Sequence, residues 1–514
     1  MSVGFKIFIQ REVILPFILL SFLLPSCTQQ DYFMQDLSYI PAVSTLPVLR
    51  LQVSTGDCDS IHRTTNYKAD ANGILIDSNG DTIYDGYLQI KSRGNSSFRN
   101  KIKKPYMIKF HQKTLLFDLP ISKKYILLAN ASDWSFIRNA IAFDLAHRVG
   151  MPAPKYTYLR VYINNDYRGL YQLTNRKYLY SSNDIHTYIR NCYIIDHTYK
   201  DFDKSFKSAI GRSVRIMEPK HIGTDDISRV KYIYDRMEAA VNAPSGYHPI
   251  TGEHYSTYLD VHSFAKYYLI EELMRNNDVG TMSFMMHIHF DSTGEKVYAG
   301  PMWDFDAIRP DYPNELWACA RMGLNMKEEA GGVLYHLWQH EDFQNIVKEE
   351  YIREVLPQLE NMLHGTYIDS LHTLLHAEAM TNNQRWKHPE ESFDISIEDL
   401  HGYLIQRKDF LQWLYSSTDA ERVCLTIYNK EKINARRTLR YAKKEDGLLF
   451  SPHSYSNNHQ IATCYFANDK HVIVKDTVFH TNADIIIEYK YLTWIEYQLN
   501  RIKRKFHKIR MNCM

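Results

Sequence analysis

The sequence predicts an α+β protein in three parts: an antiparallel sheet with one helix, a mainly helical stretch, and a small C-terminal β module. Three patterns predict it. Period-two alternation recurs between residues 48 and 173, interrupted by one helical stripe. Apolar residues at helical spacing then dominate 225–415, broken by one hairpin signal. Alternation returns over 424–489. With 514 residues the chain exceeds one ordinary core, so about two to three domains are expected. A hydrophobic share of 45% and a charged share of 23% are ordinary globular values. A net charge of +2 argues against a nucleic-acid footprint over the whole molecule.

The first 27 residues decide the compartment. Lys6 and Arg11 precede an apolar run at 13–24, and Pro25-Ser26-Cys27 follows. A basic start, a short apolar core and a small residue before cysteine make a secretory signal. Leu24-Pro25-Ser26-Cys27 resembles a bacterial lipoprotein cleavage box, with Cys27 as the lipidated N-terminus. The alternative is an ordinary cleaved signal or a simple anchor. A lipid-anchored protein of the cell envelope, periplasmic or on the cell surface, is therefore expected. Residues 28–47 are polar and mixed, with Pro41 and Pro47, and read as a tether. The other cysteines, Cys58, Cys192, Cys319, Cys424, Cys464 and Cys513, are scattered and include no Cys-x-x-Cys. Cys424–Cys464 is a possible pair within the last part.

From residue 48 the pattern is β, with strands at 49–53, 74–76, 82–84 and 87–91. Ser78-Asn79-Gly80-Asp81 and Asp85-Gly86 are turn signals between them. A strand at 106–111 places Tyr106, Ile108 and Phe110 on one face, Met107 and Lys109 on the other. A helix is predicted over 133–149, capped by Ser132 or Asp133 and stopped by Gly150 and Pro152. Strands at 156–164 and 169–173 are joined by the hairpin signal Asn164-Asn165-Asp166. Helices follow at 225–243 and 261–274, the second capped by Asp260, then at 332–340, 342–363, 366–379 and 400–415. Trp386-Lys387-His388-Pro389 interrupts that series. The basic stretch 494–514 reads either as a contact for anionic lipid or wall polymer, or as a solvated tail or terminal helix.

The chemistry-bearing residues cluster around the hairpin signal. Asn276-Asn277-Asp278 ends a helical run, 283–290 is strand-like, Asp291-Ser292-Thr293-Gly294 is a turn, and a second strand leads into Asp304. A β-hairpin would hold Asp278 and Asp304 near one another at its open end. Phosphoryl transfer needs such a pair: one carboxylate to orient a hydroxyl, another to hold magnesium, with Asp306 as an extra ligand. Aspartates that merely cap turns are the alternative. Earlier, Lys91-Ser92-Arg93-Gly94-Asn95-Ser96-Ser97 reads as strand then turn, where Gly94 and small polar residues let backbone amides approach an anion. Arg93 and Lys109 would then sit on a phosphate-facing sheet, or belong to a plain hairpin with solvated cations. His287 and His289 share one strand face, as metal ligands or as packing residues.

Several motifs in order resemble the CotH family, atypical kinases of the spore-coat type. They are Lys91-Ser92-Arg93-Gly94-Asn95-Ser96-Ser97, Lys103-Lys104-Pro105-Tyr106-Met107-Ile108-Lys109 and Leu127-Leu128-Ala129-Asn130-Ala131-Ser132-Asp133. Arg138-Asn139 with Ala142-Phe143-Asp144-Leu145-Ala146, Val161-Tyr162-Ile163-Asn164 through Gly169-Leu170-Tyr171, Asn277-Asp278, and Ala299-Gly300-Pro301-Met302-Trp303-Asp304-Phe305-Asp306 complete the set. The resemblance covers residues 48–415. It implies a two-lobed protein-kinase-like fold, with an N-lobe at 48–176, a C-lobe at 177–418 and the β module at 419–514. It implies ATP with Mg2+ or Mn2+, and γ-phosphoryl transfer to protein Ser or Thr. By motif, Asp278 resembles the catalytic aspartate and Asp304 the metal-binding one, followed by Phe305. Arg93, Lys104, Lys109 and Arg138 would face the nucleotide. The chain departs from the family pattern at three places. Ser283 replaces an Asn ligand for a second metal, Asn175 replaces a Glu, and Ala307 replaces a Gly. The first two motivate an alternative reading as a catalytically weak module that binds a surface protein or polymer.

Overall fold

The computed structural model describes residues 45–99, 101–175, 192–198, 204–219, 221–276, 278–279, 283–291, 294–308, 314–316, 318, 332–389, 391–429, 438–446, 448–450, 460–466, 479–481 and 485–491. The signal segment with Cys27, most of the tether, Asn277, Ser292-Thr293, Cys319, Cys513 and the basic tail lie outside them.

The first sheet is built from β1 (Val48–Val53), β2 (Ala69–Ile76), β3 (Thr82–Ser92), β4 (Tyr106–Thr114), β5 (Ser122–Leu128), β6 (Tyr156–Ile163) and β7 (Asp166–Asn175). Helix α1 (Thr55–Arg63), absent from the sequence reading, follows β1, and the single turn α2 (Ser96–Arg99) follows β3. The implied two-lobed kinase arrangement, opening on an antiparallel sheet with a helix, is overturned. The strands close into a barrel in the order β1-β2-β3-β4-β5-β7-β6. The cause is β1, which uses both edges. It runs antiparallel to β2 and parallel to β6, with Val48 opposite Arg160 and Leu51 opposite Ile163. No open edge is left. The α+β class stands.

Alternation explains the barrel core. Leu49 and Leu51, Leu88 and Ile90, Ile108 and Phe110, Tyr125 and Leu127, Leu159 and Val161, and Tyr171 and Leu173 pack in one buried cluster. Their neighbours Ile126, Leu128, Tyr158 and Leu170 face outward and pack with α3 (Arg138–Arg148). Asp85 and Gly86, a turn signal in the sequence, lie inside β3, where Gly86 sits across from Gly73.

A second sheet has the order β12-β11-β8-β10-β9. It joins β8 (Cys192–His197), β9 (Ser205–Lys207) and β10 (Ser213–Glu218) to the hairpin β11 (Met285–Asp291) and β12 (Gly294–Ala299). Helices α4 (Thr224–Asn242) and α5 (Val261–Met274) lie between the two groups in sequence, and Asp260 Oδ1 caps α5 by accepting from Ser263 N at 2.8 Å. After β13 (Glu315–Leu316) come α6 (Val333–Leu337), α7 (Glu341–Glu350), α8 (Leu356–His364), α9 (Tyr367–Trp386) and α10 (Ser392–Ser416). Lys387, at φ +57°, ends α9 where the sequence breaks.

The last strands include β14 (Arg422–Asn429), β15 (Thr438–Lys443), β16 (Leu448–Phe450), β17 (Gln460–Phe466), β18 (Phe479–Thr481) and β19 (Ile485–Tyr491). A five-stranded sheet, β13-β15-β14-β19-β17, takes in Glu315 and Leu316 from upstream. Cys424 Sγ lies 3.7 Å from the Thr426 hydroxyl. Around Glu315 runs a buried ionic network. Arg275 lies 3.4 Å from its Oε2, Arg440 Nη2 donates to its Oε1 at 2.6 Å, and Arg407 Nη1 donates to its carbonyl at 2.6 Å while pairing with buried Glu272. Among the described residues, no helix is long and apolar enough to cross a membrane.

Candidate active site

The run Trp303-Asp304-Phe305-Asp306 alternates apolar and acidic residues, and the fold uses that period. Trp303 stacks on Phe143 of α3 at 6.3 Å, and Phe305 meets the same ring edge-on at 6.4 Å. With both aromatics buried, Asp304 and Asp306 are left partly exposed. The segment is pinned further. Met302 N donates to Pro152 O at 2.9 Å, and Phe305 N donates to Asn139 Oδ1 at 2.8 Å. Asn139 Nδ2 in turn donates to Asn130 Oδ1 at 3.2 Å.

Asp304 adopts φ +73°, the left-handed region that aspartate tolerates better than most residues. Ser283, at φ +56°, donates its hydroxyl to Asp304 Oδ2 at 3.1 Å. An antiparallel bridge between Asn276 and Ile308 brings the third acid. Asp278 lies just after one bridge residue and Asp306 just before the other, so the bridge carries them toward each other. Asn276 Oδ1 accepts from Asp278 N at 3.1 Å.

Electrostatics show that the carboxylates sense one another. The Asp306 carboxyl is pushed up to about 7, first by burial, then by the negative charges of Asp304, Asp133 and Asp278, against the positive charge of Arg138. On α5, the buried Glu271 is pushed up to about 8 by burial, with Asp278 and Asp304 adding to the rise and hydrogen bonds from Tyr267 and Asn276 opposing it. Surplus negative charge with oxygen ligands fits a magnesium-type cation, which commonly takes one or two carboxylates and keeps several waters. The acids form a loose cluster. Among the described residues, the three ligands that come within 4.8 Å of one another are His372, His376 and Asp394.

The predicted cations divide. Arg138 Nη1 donates to Asp306 O at 3.2 Å and to Ser132 O at 3.2 Å, and its Nε lies 3.3 Å from buried Asp133. Asp133 Oδ2 accepts from Arg138 N at 2.9 Å, so it satisfies the first amide of a helix that begins at Arg138 rather than at 133. Arg93 reaches over the Trp303 ring at 5.7 Å, while its amide donates to Pro105 O. Lys104 turns elsewhere, donating to Phe98 O and lying 4.8 Å over the Phe98 ring. Lys109 alternates with core residues Ile108 and Phe110, so it points out of the barrel, across from Gln89 and Lys124. Among the described residues, no hydrogen bond or ion pair joins Lys109 to the acids. His287 is buried and stacks on Tyr298 at 5.3 Å, and its imidazole is held down to about 3 by burial and by His289. That is packing, not ligation.

Sequence reasoning missed Glu271 and the role of Asn139. Glu271 sits in an apolar helical stripe that gives no acid signal. Asn139 was visible as part of Arg138-Asn139, but its contact to Phe305 crosses the fold.

The geometry defines an α+β protein with a cluster of oxygen ligands beside arginine side chains. A family model described as CotH kinase protein matches residues 90–411, more than half of the chain. The chain belongs to that family. Comparison with curated proteins finds no match.

Proposed function

We propose that this protein is an atypical kinase that transfers the γ-phosphoryl group of ATP to Ser or Thr of a protein substrate. Membership of the CotH kinase protein family supports that reading. The observation that carries it is the convergence of Asp278, Asp304 and Asp306 from two separate segments into one loose acidic cluster, with Arg138 on the backbone of Asp306. Asp278 accepts the proton of the substrate hydroxyl. Asp304 and Asp306 would hold the cation. Bound there, Mg2+ or Mn2+ would supply neutralisation of the phosphate charge. Arg93 offers its guanidinium to the nucleotide, and Arg138 holds the backbone of Asp306 in place. The protein acts in the cell envelope, anchored through a lipid on Cys27, with no nucleic-acid partner.

Purified protein incubated with labelled ATP and Mg2+ or Mn2+ tests this. Incorporation is expected, falling by at least about 100-fold in Asp278→Asn and in Asp304→Ala. Absence of both incorporation and any nucleotide-dependent thermal shift would overturn the reading. A signal that survives Asp304→Ala would overturn the metal assignment.

One observation favours a second reading. Ser283, which stands where the family pattern has an Asn ligand, donates its hydroxyl to Asp304 and offers a weaker metal ligand than an amide oxygen, and Asn175 occupies the position of an acid. A binding module of weak catalytic power fits both. It would show a nucleotide-dependent thermal shift without transfer.

A further inference from the structure

We propose that His372, His376 and Asp394 form a second metal site, for a borderline transition-metal dication, zinc foremost, that clamps α9 to α10. His372 and His376 stand one helical turn apart on α9, so their imidazoles share a face. Their ring centroids lie 5.3 Å apart. Asp394 comes from the first turn of α10. Its Oδ1 lies 2.7 Å from His372 Nε2 and 3.6 Å from His376 Nε2. All three ligand atoms fall within 4.8 Å of one another. Tetrahedral zinc, with ligands at about 2.0–2.1 Å, sets neighbouring ligand atoms about 3.3 Å apart. The His376 distance already matches. The His372 distance is that of a hydrogen bond and needs to open by about 0.6 Å.

The site is also held and open in the right places. His372 stacks on Phe393 at 5.3 Å with ring planes 6° apart, which fixes the imidazole before any ion arrives. The side chains are 36%, 47% and 41% exposed, so an ion can enter and water can fill the fourth position. Two imidazole nitrogens and one carboxylate oxygen select zinc, copper, nickel, cobalt or ferrous iron over magnesium. The ligand chemistry thus differs from that of the all-oxygen cluster at Asp304.

The clamp would act on a helix that already grips the barrel. Asn382 Oδ1 accepts from Leu170 N at 3.2 Å, Arg385 Nη2 donates to Asp166 Oδ1 at 3.0 Å, and Glu378 accepts from Tyr167. A cation at His372, His376 and Asp394 ties the next helix to the same anchor.

Cobalt titration of the full-length protein tests the site. The protein carries no histidine tag, is stripped with chelator, and is kept in excess Mg2+ to fill oxygen-only sites. One equivalent of Co2+ should give visible d–d bands that Zn2+ abolishes, and Zn2+ should raise the melting temperature. His376→Ala should weaken binding by about 100-fold or more while leaving the far-UV spectrum and the metal-free urea midpoint unchanged. If that variant misfolds, His376→Gln carries the same comparison. Asp304→Asn should leave the titration as in the parent. A simple His372–Asp394 hydrogen bond would give no cobalt bands, or bands indifferent to the change at His376. Either result overturns the proposal, as does a cobalt signal that disappears in Asp304→Asn alone.

Discussion

Asp304 combines an uncommon backbone conformation with a crowd of like charges. Its φ of +73° and the acids around it cost stability, a pattern expected where function, not folding, selects the residue. Asparagine tolerates the same φ and removes one negative charge. Asp304→Asn should therefore keep the fold and, without added metal, raise the unfolding free energy by up to about 1 kcal/mol. Urea denaturation in chelator measures this. A marked loss of stability would mean that Asp304 is a structural residue. The acids were legible in the sequence because they flank a hairpin signal, and hairpins bring their ends together. The cations were less so. Parity along β4 separates Lys109 from Ile108 and Phe110, but parity alone does not say which acids the outer face approaches. Arg93 meets the acidic run through the Trp303 ring, a contact across the fold that no local pattern marks.

At the scale of elements, the hardest feature to read was barrel closure. The parallel pairing of β1 with β6 joins strands on either side of four others, and no local pattern marks it. Antiparallel neighbours with short turns were visible, as were the long helices, whose apolar period repeats over several turns. The strands β8, β9 and β10 were missed because they fall in a mixed stretch without clear alternation, β9 being only three residues long. The close approach of α9 to β7 requires a small residue at one position. Gly169 in β7 has φ +110°, and a Cβ there would meet Asn382 Oδ1 at 2.4 Å, Trp386 Nε1 at 3.0 Å and Lys103 Cε at 3.2 Å. Gly169→Ala should strain the backbone and push α9 away, costing about 2 kcal/mol or more. A fall in the urea midpoint, with protease cleavage appearing in α9, is the expected result. An unchanged midpoint would show that α9 does not seat on β7 as described.

At the scale of the whole molecule, neutral buried histidines among the described residues contribute to the response to acid. His287 is held down to about 3 by burial and by His289. His62 is held to about 3 by burial and by the charges of Arg168 and Lys104, and His336 to about 4 by burial and by Arg212 and His340. Once unfolded, each titrates near about 6.5. Between about 6.5 and the folded values, the unfolded chain binds more protons than the folded one. Stability therefore rises with pH in that window and is lost as pH falls through it. Asp306 and Glu271, raised to about 7 and about 8, act in the opposite sense, losing stability as pH climbs from about 4. The two sets oppose each other between pH 4 and 6.5, so the net curve alone does not separate them. A difference measurement does. His287 touches Tyr298, His289 and Gly300 O, and no carboxylate is among these partners. His287→Gln should remove one proton from the linkage. The slope of unfolding free energy against pH between 6 and 4 should then fall by up to about 1.4 kcal/mol per unit. Parallel curves for parent and variant would mean that His287 is already protonated in the folded protein. The stacked contact with Tyr298 would then need to tolerate a buried positive charge, which the surrounding apolar packing of β11 and β12 opposes.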